Sequence, residues 1–114
     1  ATKIPLVIYN IQGRTGTNLQ TETLVKLAKI PNIVGVKEAS GHVSQMMDII
    51  ENVLPIRPDF SIMSGDDALT FPLMALGGHG VYSVASNLLP QEIKNLCDAC
   101  SNNNYEKGRE LHFQ

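Results

Sequence analysis

The sequence contains no tryptophan, only two cysteines and few aromatic residues, which make up 5% of its 114 residues. It also lacks long hydrophobic runs, since no apolar stretch approaches the roughly 20 residues that a membrane-spanning helix needs. Positive charge is not in excess, and the net charge of -2 argues against a surface for nucleic acid or for an anionic membrane. With 43% hydrophobic and 18% charged residues, the composition agrees with a soluble intracellular enzyme, since it is close to ordinary globular usage.

The two cysteines lie three residues apart, in the segment Cys97-Asp98-Ala99-Cys100. This spacing allows two interpretations: a redox pair or half of a zinc site, or two small apolar side chains on one face of a helix. A zinc site would require further ligands at recognisable spacing, and His112 alone does not supply them. We therefore predict that no metal is bound and that both cysteines lie on a helix.

Four apolar runs end in polar residues or glycine, and each is followed by a segment with helical periodicity. The runs cover residues 5–10, 32–37, 60–67 and 80–84, and the helical segments cover residues 21–30, 43–54, 67–76 and 90–99, with a last helix from Asn104. Such alternation predicts an α/β fold in which helices pack outside a parallel sheet. We expect Asp67 to cap the third of these helices.

The segment Gly77-Gly78-His79-Gly80 precedes the fourth apolar run rather than a helix. A phosphate-binding loop requires the order strand, glycine loop, helix, so that the N–H groups at the start of the helix face the anion. We therefore interpret the glycines as a tight turn. His79, like His42, is then a surface or turn residue and not a ligand.

Lys37 ends the second apolar run. An amine at the end of a buried strand is partly stripped of water, which favours the free amine, and a free amine can form a Schiff base with a carbonyl substrate. The alternative is a lysine that merely ends the strand and extends its amine into solvent. In barrels of parallel strands the chemistry gathers at the C-terminal strand ends, where Tyr9 and Gly65 also lie, and this placement favours the reactive lysine.

Side chains alternate between the two faces along a strand. Gly35 and Ala39 are therefore expected to share the face of Lys37, and Val34 and Val36 to face the helices. The small residues beside the lysine would leave room for a substrate. If the first two strands are neighbours, Tyr9 projects into the same pocket and can relay protons; otherwise its ring fills the core.

Four motifs occur in order and at compatible spacing: Tyr9 to Gly16 (Tyr-Asn-Ile-Gln-Gly-Arg-Thr-Gly), Gly35 to Gly41, Ser64 to Asp67 and Gly77 to Val84. Together they resemble the C-terminal half of the dihydrodipicolinate synthase family, class I aldolases that include N-acetylneuraminate lyase. The resemblance implies a (βα)8 barrel with an added C-terminal helical region. Such a barrel needs about 250 residues, so the chain is expected to be a fragment. Residues 1–89 would supply about strands five to eight with their helices, and residues 90–114 the truncated C-terminal helices.

The resemblance also implies roles for five residues. Lys37 is expected to form the Schiff base with pyruvate, and Tyr9 to relay protons. Arg14 is expected to hold the carboxylate of aspartate-4-semialdehyde, because a guanidinium pairs bidentately with a carboxylate. Gly65 would line the pocket, and the backbone carbonyl of Tyr82 would face the lysine amine. The implied condensation leads towards diaminopimelate and lysine, and it needs no cofactor because the covalent Schiff base on Lys37 is the electron sink.

The chain departs from the family at Gln12, where the motif usually has proline. With Gly13 beside it, the loop that carries Arg14 is expected to be less rigid. Two alternatives stay open: an enzyme like N-acetylneuraminate lyase, which usually lacks an arginine at this position, and a non-catalytic assembly or interaction module. A complete enzyme of this family is expected to be a cytoplasmic homo-oligomer, a dimer or tetramer. Its relay threonine and the tyrosine lent by a neighbouring subunit are expected to lie in the missing half.

Overall fold

The computed structural model describes residues 2–114 and contains a sheet of four parallel strands in the order β1-β2-β3-β4. The strands are β1 (Leu6–Asn10), β2 (Ile33–Glu38), β3 (Ser61–Ser64) and β4 (Gly80–Val81). The helices are α1 (Gln12–Thr15), α2 (Thr21–Ala28), α3 (Val43–Val53), α4 (Thr70–Ala75), α5 (Pro90–Ser101) and α6 (Tyr105–His112), with 3-10 turns at Asp67–Leu69 and Ala85–Asn87. The predicted α/β fold with a parallel sheet is confirmed. None of the helices in the described range is long and apolar enough to cross a bilayer.

The main core lies between one face of the sheet and helices α2, α3 and α4. Its buried side chains are Leu24, Ala28, Ile33, Val36, Met46, Ile49, Val53, Phe60, Ile62 and Leu73. Full burial of one aliphatic or aromatic side chain contributes about 1.5–3 kcal/mol, so this layer fixes the strands against the helices. The other face of the sheet carries Lys37.

The predicted placement of both cysteines on one helix is confirmed by α5. Cys100 is buried with Met74 and Leu96, and Cys97 packs against the same small cluster. Burial raises the pKa of both thiols, and at Cys97 the neighbouring Cys100 and Asp98 raise it further. Neither thiol therefore readily gives the thiolate that redox chemistry and metal binding require.

An irregularity in β2 interrupts the predicted alternation of side chains. The register with β1 shifts between Ile33 and Gly35, so the period of two is broken there. Ile33 and Val36 are buried in the main core, whereas Val34 is half-buried and does not belong to it. The prediction that Val34 faces the helices together with Val36 is therefore wrong.

The helix predicted after β3 begins as a 3-10 turn, and its cap is not the expected residue. Oδ1 of Asp66 accepts the N–H of Ala68 at 2.9 Å, so Asp66 is the cap. Oδ2 of Asp67 accepts instead the N–H groups of Val84 and Ala85, both at 3.0 Å. The prediction that Asp67 caps this helix is wrong, because its carboxylate serves the loop after β4. β4 also ends earlier than predicted, at Val81, and the N–H groups of Val84 and Ala85 bind this carboxylate and not a neighbouring strand.

The glycine segment between α4 and β4 is a turn, as predicted. Gly77 has a left-handed φ of 109°, a conformation that glycine adopts without strain, and the N–H of Gly78 donates to the Leu73 carbonyl at 2.9 Å. His79 is exposed, and its Nδ1 accepts the N–H of Ile62 at 3.0 Å. The histidine therefore attaches the turn to β3.

Candidate active site

Lys37 and Tyr9 come together at the C-terminal ends of β2 and β1. The two residues are directly paired in the parallel register, so their side chains lie on the same face of the sheet. Nζ of Lys37 lies 3.9 Å from the centre of the Tyr9 ring, within the roughly 6 Å over which an aromatic face attracts a cation. The fold thus brings the lysine and the tyrosine singled out from the sequence to one place.

A second aromatic ring approaches Lys37 from the fourth strand. Tyr82 follows β4, and its N–H donates to the carbonyl of Ser64 at 2.9 Å. The centre of its ring lies 5.7 Å from Nζ of Lys37. The residues Tyr9 and Tyr82 are 49% and 45% exposed, so the cluster is open to a ligand on the face of the sheet opposite the main core.

The approach of the Tyr82 ring was not predicted. From the sequence, only the backbone carbonyl of this residue was expected at the site. The residue type of Tyr82 does not indicate where its ring points. The ring reaches the lysine only because β2, β3 and β4 lie side by side.

Gly65 makes room for the stem of Lys37. A Cβ at this position would lie 2.7 Å from the Cβ of Ala39, and 3.1 and 3.2 Å from Cγ and Cε of Lys37. The N–H of Gly65 donates to the carbonyl of Glu38 at 2.8 Å, which holds the two strand ends together. The glycine therefore lies against the lysine itself, at the position where the sequence analysis expected a residue that lines the pocket.

Gly35 does not open a space for substrate. A Cβ there would lie 2.7 Å from the carbonyl oxygen of Ser61 and 2.9 Å from its Cβ. The glycine instead allows β2 and β3 to approach closely. The expectation that this small residue leaves room beside Lys37 is wrong, because the neighbouring strand already fills that room.

Arg14 lies on α1, the single helical turn after β1, and not in the loop that was predicted. The turn ends at Gly16, whose φ of 71° is the left-handed conformation common after helices. The Arg14 side chain is exposed. Within residues 2–114, no hydrogen bond, ion pair or ring contact joins this guanidinium to Lys37 or to the two tyrosines, so its role at the site stays a prediction.

A buried polar pair lies directly behind Lys37 and Tyr9, and the sequence analysis missed it. Glu38 and Asn10 are only 1% and 4% exposed and are paired in the register of β1 and β2. Nδ2 of Asn10 donates to both carboxylate oxygens of Glu38 at 3.2 Å, and the N–H of Ser40 donates to Oε1 at 2.9 Å. These donors compensate for the loss of water around the carboxylate, which would otherwise be costly. A charged residue next to Lys37 at the end of an apolar strand was the signal that could have revealed the pair.

The pair extends into a network that reaches α3. Nδ2 of Asn10 also donates to Oδ1 of Asn18 at 3.0 Å, and its Oδ1 accepts the N–H of Leu19 at 2.9 Å. Asn18 and Gln45 exchange two hydrogen bonds, at 2.8 and 3.1 Å, and Nε2 of Gln45 also donates to the carbonyl of Leu19 at 3.2 Å. The ends of β1 and β2 are thereby attached to α3.

Asp67 fixes the loop that follows Tyr82. Burial alone would raise the pKa of Asp67, but the nearby Ser83 hydroxyl and the hydrogen bonds from the N–H groups of Ala85 and Val84 outweigh it and hold the pKa below its ordinary value. The carboxylate is therefore ionised at neutral pH. Within residues 2–114, no three histidine, cysteine, aspartate or glutamate side chains gather as a metal site would require.

Comparison with known proteins gives matches over the whole chain. Residues 1–114 match the dihydrodipicolinate synthetase family. The chain is 52% identical over 114 residues to the 4-hydroxy-tetrahydrodipicolinate synthase of Protochlamydia amoebophila, which covers all of this chain and 38% of that protein. It is 51% identical over 109 residues to the synthase of Koribacter versatilis, with 95% of this chain and 35% of that protein covered.

Solved structures agree with the sequence matches. The dihydrodipicolinate synthase of Aquifex aeolicus superposes with a TM-score of 0.93 at 40% identity, over 98% of this chain and 38% of that one. The synthase of Thermotoga maritima gives a TM-score of 0.94 at 40% identity, over 97% of this chain and 38% of that one. These matches confirm the prediction that the sheet and helices form part of a (βα)8 barrel, and the chain spans about 38% of the length of the proteins it matches. The proposed boundary at residue 89 stays a prediction.

Proposed function

The chain belongs to the dihydrodipicolinate synthetase family, and on that basis we propose that it supplies the lysine-bearing part of a 4-hydroxy-tetrahydrodipicolinate synthase. This lyase activity would belong to a protein of the relatives' length, of which the chain spans about 38%. The observation that carries the proposal is the position of Lys37, whose Nζ lies 3.9 Å from the Tyr9 ring at the C-terminal ends of two adjacent parallel strands.

Lys37 is the group proposed to react with pyruvate. Its free amine attacks the ketone carbon, and loss of water leaves an iminium between Nζ and the substrate. Loss of a methyl proton then gives an enamine, whose carbon attacks the aldehyde of aspartate-4-semialdehyde. Transimination with cyclisation releases the heterocycle and restores the lysine amine. The iminium is the electron sink, so the proposed chemistry calls for no organic cofactor or metal.

The surroundings of Lys37 support this assignment. The stem of the lysine lies against Gly65, with no side chain between them. This close packing against the backbone limits the positions that Nζ can take. The faces of the Tyr9 and Tyr82 rings can stabilise the positive charge of an iminium through the attraction of a cation to an aromatic face. The Tyr9 phenol can donate and accept a proton and is proposed to relay protons during the condensation.

The remaining residues of the proposed site act on substrate position. Arg14 would pair with the carboxylate of aspartate-4-semialdehyde, for which its exposed guanidinium at the end of β1 is suited. The backbone carbonyl of Tyr82 would face the reacting amine, and Gly65 would line the pocket. The working enzyme is proposed to be a cytoplasmic dimer or tetramer, as the family resemblance implies.

The proposal is tested by trapping the Schiff base in the full-length protein. Sodium borohydride in the presence of pyruvate should reduce the iminium to a stable adduct on the peptide that contains Lys37, as mass spectrometry of a digest would show. Lys37→Arg retains the charge but should give no adduct there. An adduct on Lys26 or Lys29 alone, or none, would contradict the assignment.

The comparisons favour the synthase over the other two functions considered. The relatives and structures compared above are described as 4-hydroxy-tetrahydrodipicolinate or dihydrodipicolinate synthases. Neither N-acetylneuraminate lyase activity nor a non-catalytic module has an observation of its own in support.

A further inference from the structure

The segment that carries Arg14 is closed at its two ends by one side chain. The segment covers residues 11–18 and begins directly after Asn10. Its far end returns to the same residue, because Asn10 binds Asn18 through Nδ2 at 3.0 Å and the N–H of Leu19 through Oδ1 at 2.9 Å. Asn10 therefore decides how the chain around α1 is held relative to β1.

Glu38 fixes the orientation of the Asn10 amide. Both Glu38 oxygens accept from the same donor, Nδ2 of Asn10, each at 3.2 Å, so the NH2 group of Asn10 faces the carboxyl group. With Nδ2 directed there, Oδ1 is left to accept the N–H of Leu19. If the amide were rotated by half a turn, it would present Nδ2 to that N–H and lose the bond.

The network lies away from the reacting groups. Lys37 and Tyr9 point to the open face of the sheet, and the residues that follow them, Glu38 and Asn10, point to the opposite face, where they are almost completely buried. At the far end, Gln45 belongs to α3 on the helix side. The side chains of Asn10 and Glu38 thus face away from the substrate side of the sheet, and through Asn10 they are bonded to the far end of the segment that carries Arg14.

We infer that Asn10 is the positioning residue for Arg14, and that Glu38 acts on Arg14 through Asn10. The inference rests on the proposed function, because Arg14 is assigned there to the carboxylate of aspartate-4-semialdehyde. Binding of pyruvate to Lys37 does not require the guanidinium. Disturbing the network should therefore weaken use of the aldehyde while the Schiff base still forms.

The main variants are Glu38→Gln and Asn10→Asp in the full-length protein. Glu38→Gln places an NH2 group against Nδ2 of Asn10, and Asn10→Asp places two carboxylates side by side. Each should raise KM for aspartate-4-semialdehyde about tenfold, the size expected when a hydrogen bond to a charged group is lost. The rate of borohydride trapping with pyruvate should stay within about twofold of wild type.

The double variant Asn10→Asp/Glu38→Gln exchanges the two functional groups. Its glutamine can donate to the new aspartate, which can still accept the N–H of Leu19. The double variant should therefore recover much of the KM lost in each single variant. Gln45→Ala, which breaks the network at α3, should raise the same KM by a smaller factor.

A second readout does not depend on the proposed activity. Trypsin cleaves after arginine, so the rate of limited proteolysis at Arg14 reports how firmly the segment is held. Cleavage should be several-fold faster in Glu38→Gln than in wild type. Val53→Ala is the matched control, because it removes buried methyl groups from the core at α3 without touching the network. When it is compared with Glu38→Gln under conditions in which the two variants have the same thermal stability, Val53→Ala should keep the wild-type cleavage rate and the wild-type KM for the aldehyde.

The outcomes separate this inference from the proposed function. If wild type forms no adduct on Lys37, the proposed function fails, and the cleavage rates at Arg14 still decide whether Asn10 and Glu38 hold the segment. If wild type is active and the network variants keep the wild-type aldehyde KM, the inference is overturned. It is also overturned if trapping and aldehyde use fall equally and Val53→Ala reproduces that fall, since the network would then act on stability alone.

Discussion

Replacing Gly65 by alanine tests whether Lys37 depends on the empty space beside its stem. The added Cβ would lie 2.7 Å from the Cβ of Ala39, and 3.1 and 3.2 Å from Cγ and Cε of Lys37. Carbon atoms in ordinary contact lie about 3.5–4.0 Å apart, so the Ala39 methyl and the lysine stem must both move. Overpacking of this kind costs about 1–3 kcal/mol.

The lysine stem is flexible, so part of the strain should be relieved by moving Nζ away from its position over the Tyr9 ring. A displacement that costs about 1.4 kcal/mol in the reaction lowers its rate about tenfold. Gly65→Ala should therefore slow borohydride trapping of pyruvate by about tenfold, and the thermal unfolding temperature of the full-length protein should fall by a few degrees.

Ala39→Gly provides the matched test of this reasoning, because it removes the closest contact. In the double variant Gly65→Ala/Ala39→Gly, stability should largely return, apart from the cost of about 0.5–1 kcal/mol for a new glycine. Trapping should recover only in part, since the contacts with Lys37 at 3.1 and 3.2 Å remain. Wild-type trapping and an unchanged unfolding temperature in Gly65→Ala would refute the argument.

Two further predictions concern stability. The folded-state pKa of Asp67 lies below its ordinary value of 3.8. The contribution of Asp67 to stability is therefore fully present above pH 3.8 and is lost as the pH falls through the folded-state pKa. Acid unfolding followed by circular dichroism should show this loss in wild type and not in Asp67→Asn, and equal acid sensitivity of the two proteins would contradict the prediction. Residues 1–114 alone should not form a stable, active monomer, because β1 and β4 are unpaired sheet edges and the face that carries Tyr9 is uncovered. A monodisperse monomer in sedimentation, with cooperative unfolding and measurable turnover, would contradict this prediction.

Periodicity along the chain was enough to predict the parallel sheet and to place Tyr9 and Lys37 at C-terminal strand ends. Apolar runs followed by helical segments leave few alternatives to a parallel sheet, and adjacent parallel strands place their C-terminal ends together. The spacing of the apolar runs therefore predicts that Tyr9 and Lys37 lie close together when their strands are neighbours. The roles assigned to Arg14 and to the Tyr82 carbonyl came from resemblance to a family, and they stay predictions.

Other features depended on partners that are distant in the sequence. Asp67 was expected to cap the helix after β3, but its carboxylate binds the N–H groups of Val84 and Ala85, and Asp66 is the cap instead. Val34 does not share the face of Val36, as had been expected, because the register of β1 and β2 shifts beside it. Neither outcome could be predicted from local pattern, because a single residue of register or a single competing donor reverses it.

The sequence by itself determined the alternating order of the main strands and helices, and that Tyr9 and Lys37 stand at strand ends, because these follow from periodicity and from the direction of parallel strands. Only the tertiary structure decided that the Tyr82 ring approaches the lysine, that Gly65 leaves space for the stem of Lys37, and that Glu38 is buried against Asn10. The physical reason is that these contacts require distances of about 3–6 Å between residues that are 28 to 45 positions apart. Such distances are set by strand register, strand order and side-chain packing together, and no local stretch of sequence specifies all three.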